Sequence, residues 1–294
     1  MKILTLMLVL LFTAVPFVAS AEQARTIDEL VKMYDSSSCK ECHAEIYEQW
    51  EKSHHARSLM GIKGYLILKG VLNSAFAPKD LKQATRKTFP CFKCHLPQAL
   101  DAADSVSVEI AQAVAGFFPD RAKISKLRIT CLVCHNKKAI LHRLQLGKPE
   151  KGVLYGTKDV PEHEDKTYKT VKKSAIIKRA VFCGQCHGTG PNFDAENPYQ
   201  CATLYGSYLH NYIPGGGTQT CQECHMEPID GMADHLTPPD WNNRPQSSEL
   251  LKKAFSFDVQ TLGYQFLSPK KKPIPTVVVN TKVKHNAGHR IPDG

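Results

Sequence analysis

Five times in this chain a pair of cysteines two residues apart is followed at once by a histidine: CKECH (39–43), CFKCH (91–95), CLVCH (131–135), CGQCH (183–187) and CQECH (221–225). A Cys-x-x-Cys pair alone fits a zinc ligand set, a thioredoxin-like redox pair, a disulfide or a haem attachment site. The fifth residue discriminates. Histidine occupies 13 of 294 positions, so five such followers arise by chance with a probability on the order of 10⁻⁷, and Cys-x-x-Cys-His is the attachment motif of c-type haem.

The spacing has a mechanical reason. On one helical turn, positions i, i+3 and i+4 share a face, so two sulfurs can bond the porphyrin edge while the imidazole reaches the iron. Zinc sites would draw four ligands from paired knuckles, with no need for histidine at one fixed offset. The sequence therefore predicts five covalently attached haem c groups, held by Cys39, Cys42, Cys91, Cys94, Cys131, Cys134, Cys183, Cys186, Cys221 and Cys224. His43, His95, His135, His187 and His225 are the proximal iron ligands of this reading.

The chain opens with MKILTLMLVLLFTAVPFVASA, a basic start, an apolar run and an Ala19-Ser20-Ala21 end. This reads as a secretory signal peptide over residues 1–21, too short for a membrane anchor, and no later segment is apolar enough to span a bilayer. The expected location is periplasmic or extracellular, soluble or peripheral. Export suits the cysteines, because unclaimed thiols there drift to disulfides. Ten of eleven cysteines belong to the motifs. Cys201 reads as a buried thiol, against the alternatives of a haem ligand, a reactive sulfur or an intermolecular link. The net charge of +10 does not point to nucleic acid: without Lys2, and with ten propionates and five ferric centres, it falls to about +4, or about −1 reduced. Lys270 to Lys272, between two prolines, read as a solvated turn.

From Cys39 to His225 there are 187 residues, or about 37 per haem, too few for a separate hydrophobic core around each porphyrin. The expected fold is mainly α with much irregular structure, its core built from packed haems, in a domain spanning 22–249. The first cysteines of the motifs are 52, 40, 52 and 38 residues apart, a two-haem period of about 92 with little residue identity across it. Helix is expected over His43–Met60 and Val108–Phe118, with breaks at Pro90, Gly188 to Pro191 and Gly215 to Gly217. No strand is expected before residue 255. After the linker LTPPDWNNRPQSS, the β-branched run in PTVVVNTKVKHNAGHRIPDG predicts a small C-terminal β segment, the start of a β-rich module over 250–294. Its end in a turn without a following strand reads as truncation.

Low-spin iron needs a second ligand. The spare histidines are His54, His55, His142, His163, His210, His235, His285 and His289. On a continuous helix His55 would lie about 18 Å along the axis from His43, so His55 is expected to serve a neighbouring haem. His235 lies beyond Pro228 and Gly231 and is likewise carried away from His225. His163, His210 and His289 complete the candidate set; His54, His142 and His285 rank behind, and Met60 and Met232 rank below these. In HNAGHRIP, Gly288 frees the backbone just before His289, whereas His285 belongs to the strand-like alternation.

The opening CxxCH-x-x-IY-x-x-W-x-x-S-x-HA pattern of Cys39 to Ala56 and the FCGQCH … TCQECHM … DH block of Phe182 to His235 resemble multihaem cytochromes c. That group takes in the nitrifiers' tetrahaem carrier, hydroxylamine oxidoreductase and pentahaem nitrite reductase. The terminal motif resembles a β-rich tail of some secreted multihaem cytochromes. The resemblance implies bis-histidine roles for His55, His235 and His289. The lysine-ligated Cys-x-x-Cys-Lys site of pentahaem nitrite reductase is absent from this sequence, so no such activity carries over. The expected function is electron relay through closely packed bis-histidine haems, in anaerobic, nitrogen, sulfur or metal respiration. Its partners would be donor and acceptor cytochromes or a membrane quinol-oxidising complex, and oligomers are compatible with it. The alternatives are an oxidoreductase with one open haem acting on a small nitrogen or sulfur oxyanion, and a subunit of a conducting assembly.

Overall fold

The computed structural model describes residues 23–59, 80–85, 92–115, 120–139, 149–188, 203–240, 243–267, 269, 272 and 274–291. The segment expected as a signal peptide, Met60, Pro90, Cys91, His142, Cys201, Lys270 and Lys271 lie outside them. Among the described residues no helix is long and apolar enough to cross a membrane.

Short helices dominate the first half. The helix α1 (Ile27–Met33) starts at Thr26, whose side chain accepts from the Glu29 amide. The helix α2 (Ala44–Lys52) ends at Ser53, and a 3₁₀ turn over His55–Arg57 follows. The continuous helix expected from His43 to Met60 is therefore broken. Ser53 is buried in an extended conformation and its hydroxyl accepts from the Ala56 amide, a local alternative to helix that serine offers. Next come α3 (Phe92–His95) and α4 (Asp104–Ala115). In α4, Val106, Ile110 and Val114 recur at the four-residue interval of one buried face. They pack with Ile27, Leu30, Leu59, Leu96 and with Ile124 of α5 (Arg121–Ser125) in one apolar cluster. Trp50 of α2 joins its helix to the next segment by donating to Ile129 O at 2.8 Å.

This cluster draws all its fully buried members from residues 24–133, so the N-terminal third has an ordinary side-chain core. The expectation that haem alone supplies the core is too broad there. Beyond it, the second cluster holds just Ala139, Val153 and Tyr155.

Two short strand pairs precede residue 255 among the described residues, against expectation. The strands β1 (Val153–Gly156) and β2 (Thr170–Lys173) pair in parallel. Each has four residues, too few for alternation to register in the sequence. The helix α6 (Ala180–His187) and the single turn α7 (Leu204–Ser207) follow, the latter running into a π-helical turn over Tyr208–Tyr212. After α8 (Cys221–His225), β3 (Pro228–Ile229) and β4 (Met232–Ala233) form a tight hairpin. Its central Asp230 and Gly231 both have positive φ, 50° and 82°, the requirement of a type I′ turn.

The end of the stretch expected as linker, from Arg244 on, becomes helix α9 (Arg244–Ala254), capped by the Asn243 side chain on the Gln246 amide. It crosses residue 250 and feeds β5 (Phe255–Phe266), which pairs antiparallel with β6 (Ile274–His285) from Phe255↔His285 to Phe266↔Ile274. The hairpin agrees with the expected C-terminal β segment. Its side chains stay exposed, Phe257 at 67% and Val277 at 66%.

This uneven core makes a testable contrast. Ile110→Ala should cost about 2–5 kcal/mol, whereas Val279→Ala on the exposed hairpin should stay within about 0.5 kcal/mol. Denaturant unfolding of the haem-loaded protein checks both; equal losses would contradict this division.

Candidate haem-binding sites

Each described attachment motif occupies a single helical turn. Cys39 lies in the 3₁₀ turn Ser37–Glu41, and the His43 amide closes back on Cys39 O at 2.9 Å. Cys94 and His95 end α3, with Cys91 outside the described residues. Cys131 and Cys134 begin a turn that widens to a π-helix over Val133–Lys137, which includes His135. Cys183, Cys186 and His187 form the end of α6. The motif of Cys221, Cys224 and His225 is the whole of α8. There Thr220 and Glu223 form a capping box, and the Gln222 side chain donates to Ile177 O and Arg179 O, both at 2.9 Å.

No described cysteine is in a disulfide. Thiols of different motifs instead lie near enough to interact: Cys39 with Cys131, Cys94 with Cys186, and Cys183 with Cys221. Attachment points far apart in sequence are thus neighbours in space. Burial pushes the Cys134 thiol up to about 12.

Three proximal histidines each meet a remote one. The ring centroids are 6.2 Å apart for His55 and His187, 6.3 Å for His135 and His235, and 6.1 Å for His225 and His289. With metal–nitrogen bonds of about 2 Å and each centroid just over 1 Å behind its ring nitrogen, two imidazoles on opposite sides of one metal are separated by about 6.3 Å. The observed distances fit that arrangement. Outer contacts agree with it: Nδ1 of His135 meets Tyr155 O at 3.0 Å, that of His225 meets Pro238 O at 2.6 Å, that of His235 meets Ala233 O at 2.7 Å and that of His289 meets Arg290 O at 2.8 Å. Carbonyls can only accept, so Nδ1 carries the proton and Nε2 keeps its lone pair for a metal. Burial lowers the pKa of His135, His187, His225 and His235, and it pushes His55 down to about 4 with help from His187. Neutral imidazole is the form that binds metal. The cysteine turns and these pairs together fit covalently held haem.

Other expected ligands are less completely placed. His163 lies on the loop between β1 and β2, with Nδ1 2.7 Å from Tyr168 O. The same loop reaches the first motif, where Ser38 Oγ donates to Asp165 at 2.9 Å. His43 and His95 have no ring pair among the described residues, and His43 is exposed. His210 is exposed on the π-helical turn, with no ring partner among the described residues. His285 ends β6 edge-on to Phe255, His54 lies 3.5 Å from Asp240, and Met232 is exposed. The sequence reading missed the carbonyls of Tyr155, Ala233 and Pro238, because a backbone acceptor leaves no mark in residue type.

Residues 38–136, which include the first three motifs, match the family described as cytochrome c554 and c-prime. No curated protein and no solved structure is significantly similar to the chain. Taken with the motifs, the match over this part of the chain supports a c-type cytochrome, a class that carries covalently bound haem in electron transfer.

One packing detail is specific to the fourth motif. A methyl group on Gly184 would sit 2.6 Å from ring atoms of Tyr205. Gly184→Ala should therefore cost about 1–3 kcal/mol by overpacking, and adding Tyr205→Ala should remove most of that penalty. Thermal unfolding of the single and double variants checks the coupling; additive losses would contradict it.

Proposed function

We propose that the chain is an exported relay carrying five haem c groups, at least three of them bound between histidine pairs. The observation that carries this reading is the set of three pairs at 6.1–6.3 Å, each uniting an attachment motif with a histidine from a distant segment. When bound, haem c supplies one-electron exchange between ferric and ferrous iron. The chain's own residues would do the rest. His55, His235 and His289 serve the fourth, third and fifth motifs, and backbone carbonyls hold the Nδ1 protons of His235 and His289 outward. His163 is the candidate partner of His43, on the strength of the Ser38–Asp165 bond. His210, expected as a further ligand, has no ring partner among the described residues and is assigned to no motif here.

The thiol contacts support a route. They set the first motif beside the third, the second beside the fourth and the fourth beside the fifth. Such contacts bring porphyrin edges together, as electron passage needs. Donor and acceptor cytochromes, or a membrane quinol-oxidising complex, are the proposed partners, in a periplasmic or extracellular respiratory setting. A second reading, an exchangeable iron acting on a small nitrogen or sulfur oxyanion, attaches to the first motif, where His43 is exposed.

Denaturing mass spectrometry of the mature protein should find five haem masses. Electron paramagnetic resonance of the oxidised protein should show low-spin iron alone; a native high-spin signal would favour the second reading. His55→Ala, His235→Ala and His289→Ala should each turn one haem high-spin with all five still attached, whereas His285→Ala should change nothing. Unaltered spectra in the first three variants would contradict the relay's ligand set.

A further inference from the structure

One short segment, from Ala233 to Asp240, touches all three histidine pairs. Ala233 O accepts from His235, which pairs with His135; Pro238 O accepts from His225, which pairs with His289. Between them, Thr237 Oγ1 lies 3.3 Å from Nδ1 of His55, which pairs with His187. Thr237 has φ of 50°, a left-handed conformation that a β-branched side chain rarely adopts. The surroundings enforce it. Buried Asp234 accepts from the Leu236 amide at 2.8 Å, and buried Asp240 binds Arg57 at 3.0 Å and accepts the Asn243 amide through its carbonyl. Strain held by its surroundings in this way marks a functional constraint.

We propose that Thr237 is a positioning residue that fixes the His55 ring and sets the redox potential of the fourth site apart from those of the third and fifth. The inference rests on the pairing of His55 with His187 given above. Thr237 Oγ1 donates its proton to Leu236 O at 2.8 Å, so toward His55 it can only accept. That fixes the proton on Nδ1 and leaves Nε2 for iron. The other pairs carry carbonyl acceptors at 2.6–3.0 Å. A hydroxyl at 3.3 Å is a weaker acceptor, so His55 has less imidazolate character and donates less charge. Weaker donation favours ferrous iron, so the fourth site holds an electron more readily than the third or fifth. This is the site whose thiols contact both the second and the fifth motif. Its rings also cross at 85°, against 26° and 16° in the other pairs. Crossed imidazole planes give ferric haem a separate low-spin resonance at large g, which labels this site.

The test is a redox titration of the full haem-loaded protein followed by electron paramagnetic resonance, in wild type, Thr237→Val, Thr237→Ser and His55→Ala. Valine keeps the branched Cβ and removes the acceptor; the large-g signal should move and its potential should rise further, and serine should restore both. An unchanged or lowered potential in Thr237→Val, with His55→Ala still turning that site high-spin, would overturn the role of Thr237 and leave the pairing intact. An unaltered spin state in His55→Ala would instead overturn the pairing, and this inference with it. Should the valine variant fail to mature with five haems, Thr237→Gly, which accepts positive φ but lacks the hydroxyl, must show the same upward shift.

Discussion

The long-range order proposed for this chain depends on pairs of neutral imidazoles brought within about 6 Å of one another, the spacing that one metal between them would need. The partners are far apart in sequence: His55 and His187, His135 and His235, His225 and His289. Closing loops of that size costs entropy that grows only slowly with length, while ligation of a metal contributes directly to folding. In the proposed relay each pair would therefore act as a cross-link between an attachment turn and a remote segment. Burial contributes by holding the imidazoles neutral, most strongly at His55.

The side-chain core and the haem sites divide the chain between them. Residues 24–133 bury an apolar cluster around α4, and the first attachment motifs lie in or beside it. Beyond Ala139 the described segments have few buried apolar side chains. Here backbone acceptors, thiol contacts and the Ala233–Asp240 segment set the geometry. That segment links pairs belonging to three motifs, so a change in one site's outer contacts is mechanically connected to the other two. The β5–β6 hairpin enters this arrangement at its base, where Asn286 N donates to Ala254 O at 2.8 Å and Arg290 bonds to the Thr203 hydroxyl. These contacts hold the loop that presents His289.

The attachment chemistry was legible in the sequence because it is local: three residue types at a fixed spacing on one turn. The break read at Pro228 and Gly231 was legible too, and the structure has a tight hairpin there. The continuous helix from which the role of His55 was argued is not formed, since α2 stops at Ser53. The four-residue strands β1 and β2 gave no periodic signal, and α9 was hidden by Pro245, a residue that a first helical turn accepts. The carbonyls around the imidazoles and the strained Thr237 depend on tertiary contacts, which residue identity does not encode.

The central claim is that iron lies between these particular histidines. Diffraction from crystals of the mature, haem-loaded protein at the iron absorption edge locates each iron directly. The account predicts iron between His55 and His187, between His135 and His235, and between His225 and His289. Iron bound to His187, His135 or His225 with a different residue, or none, on its far side would contradict it.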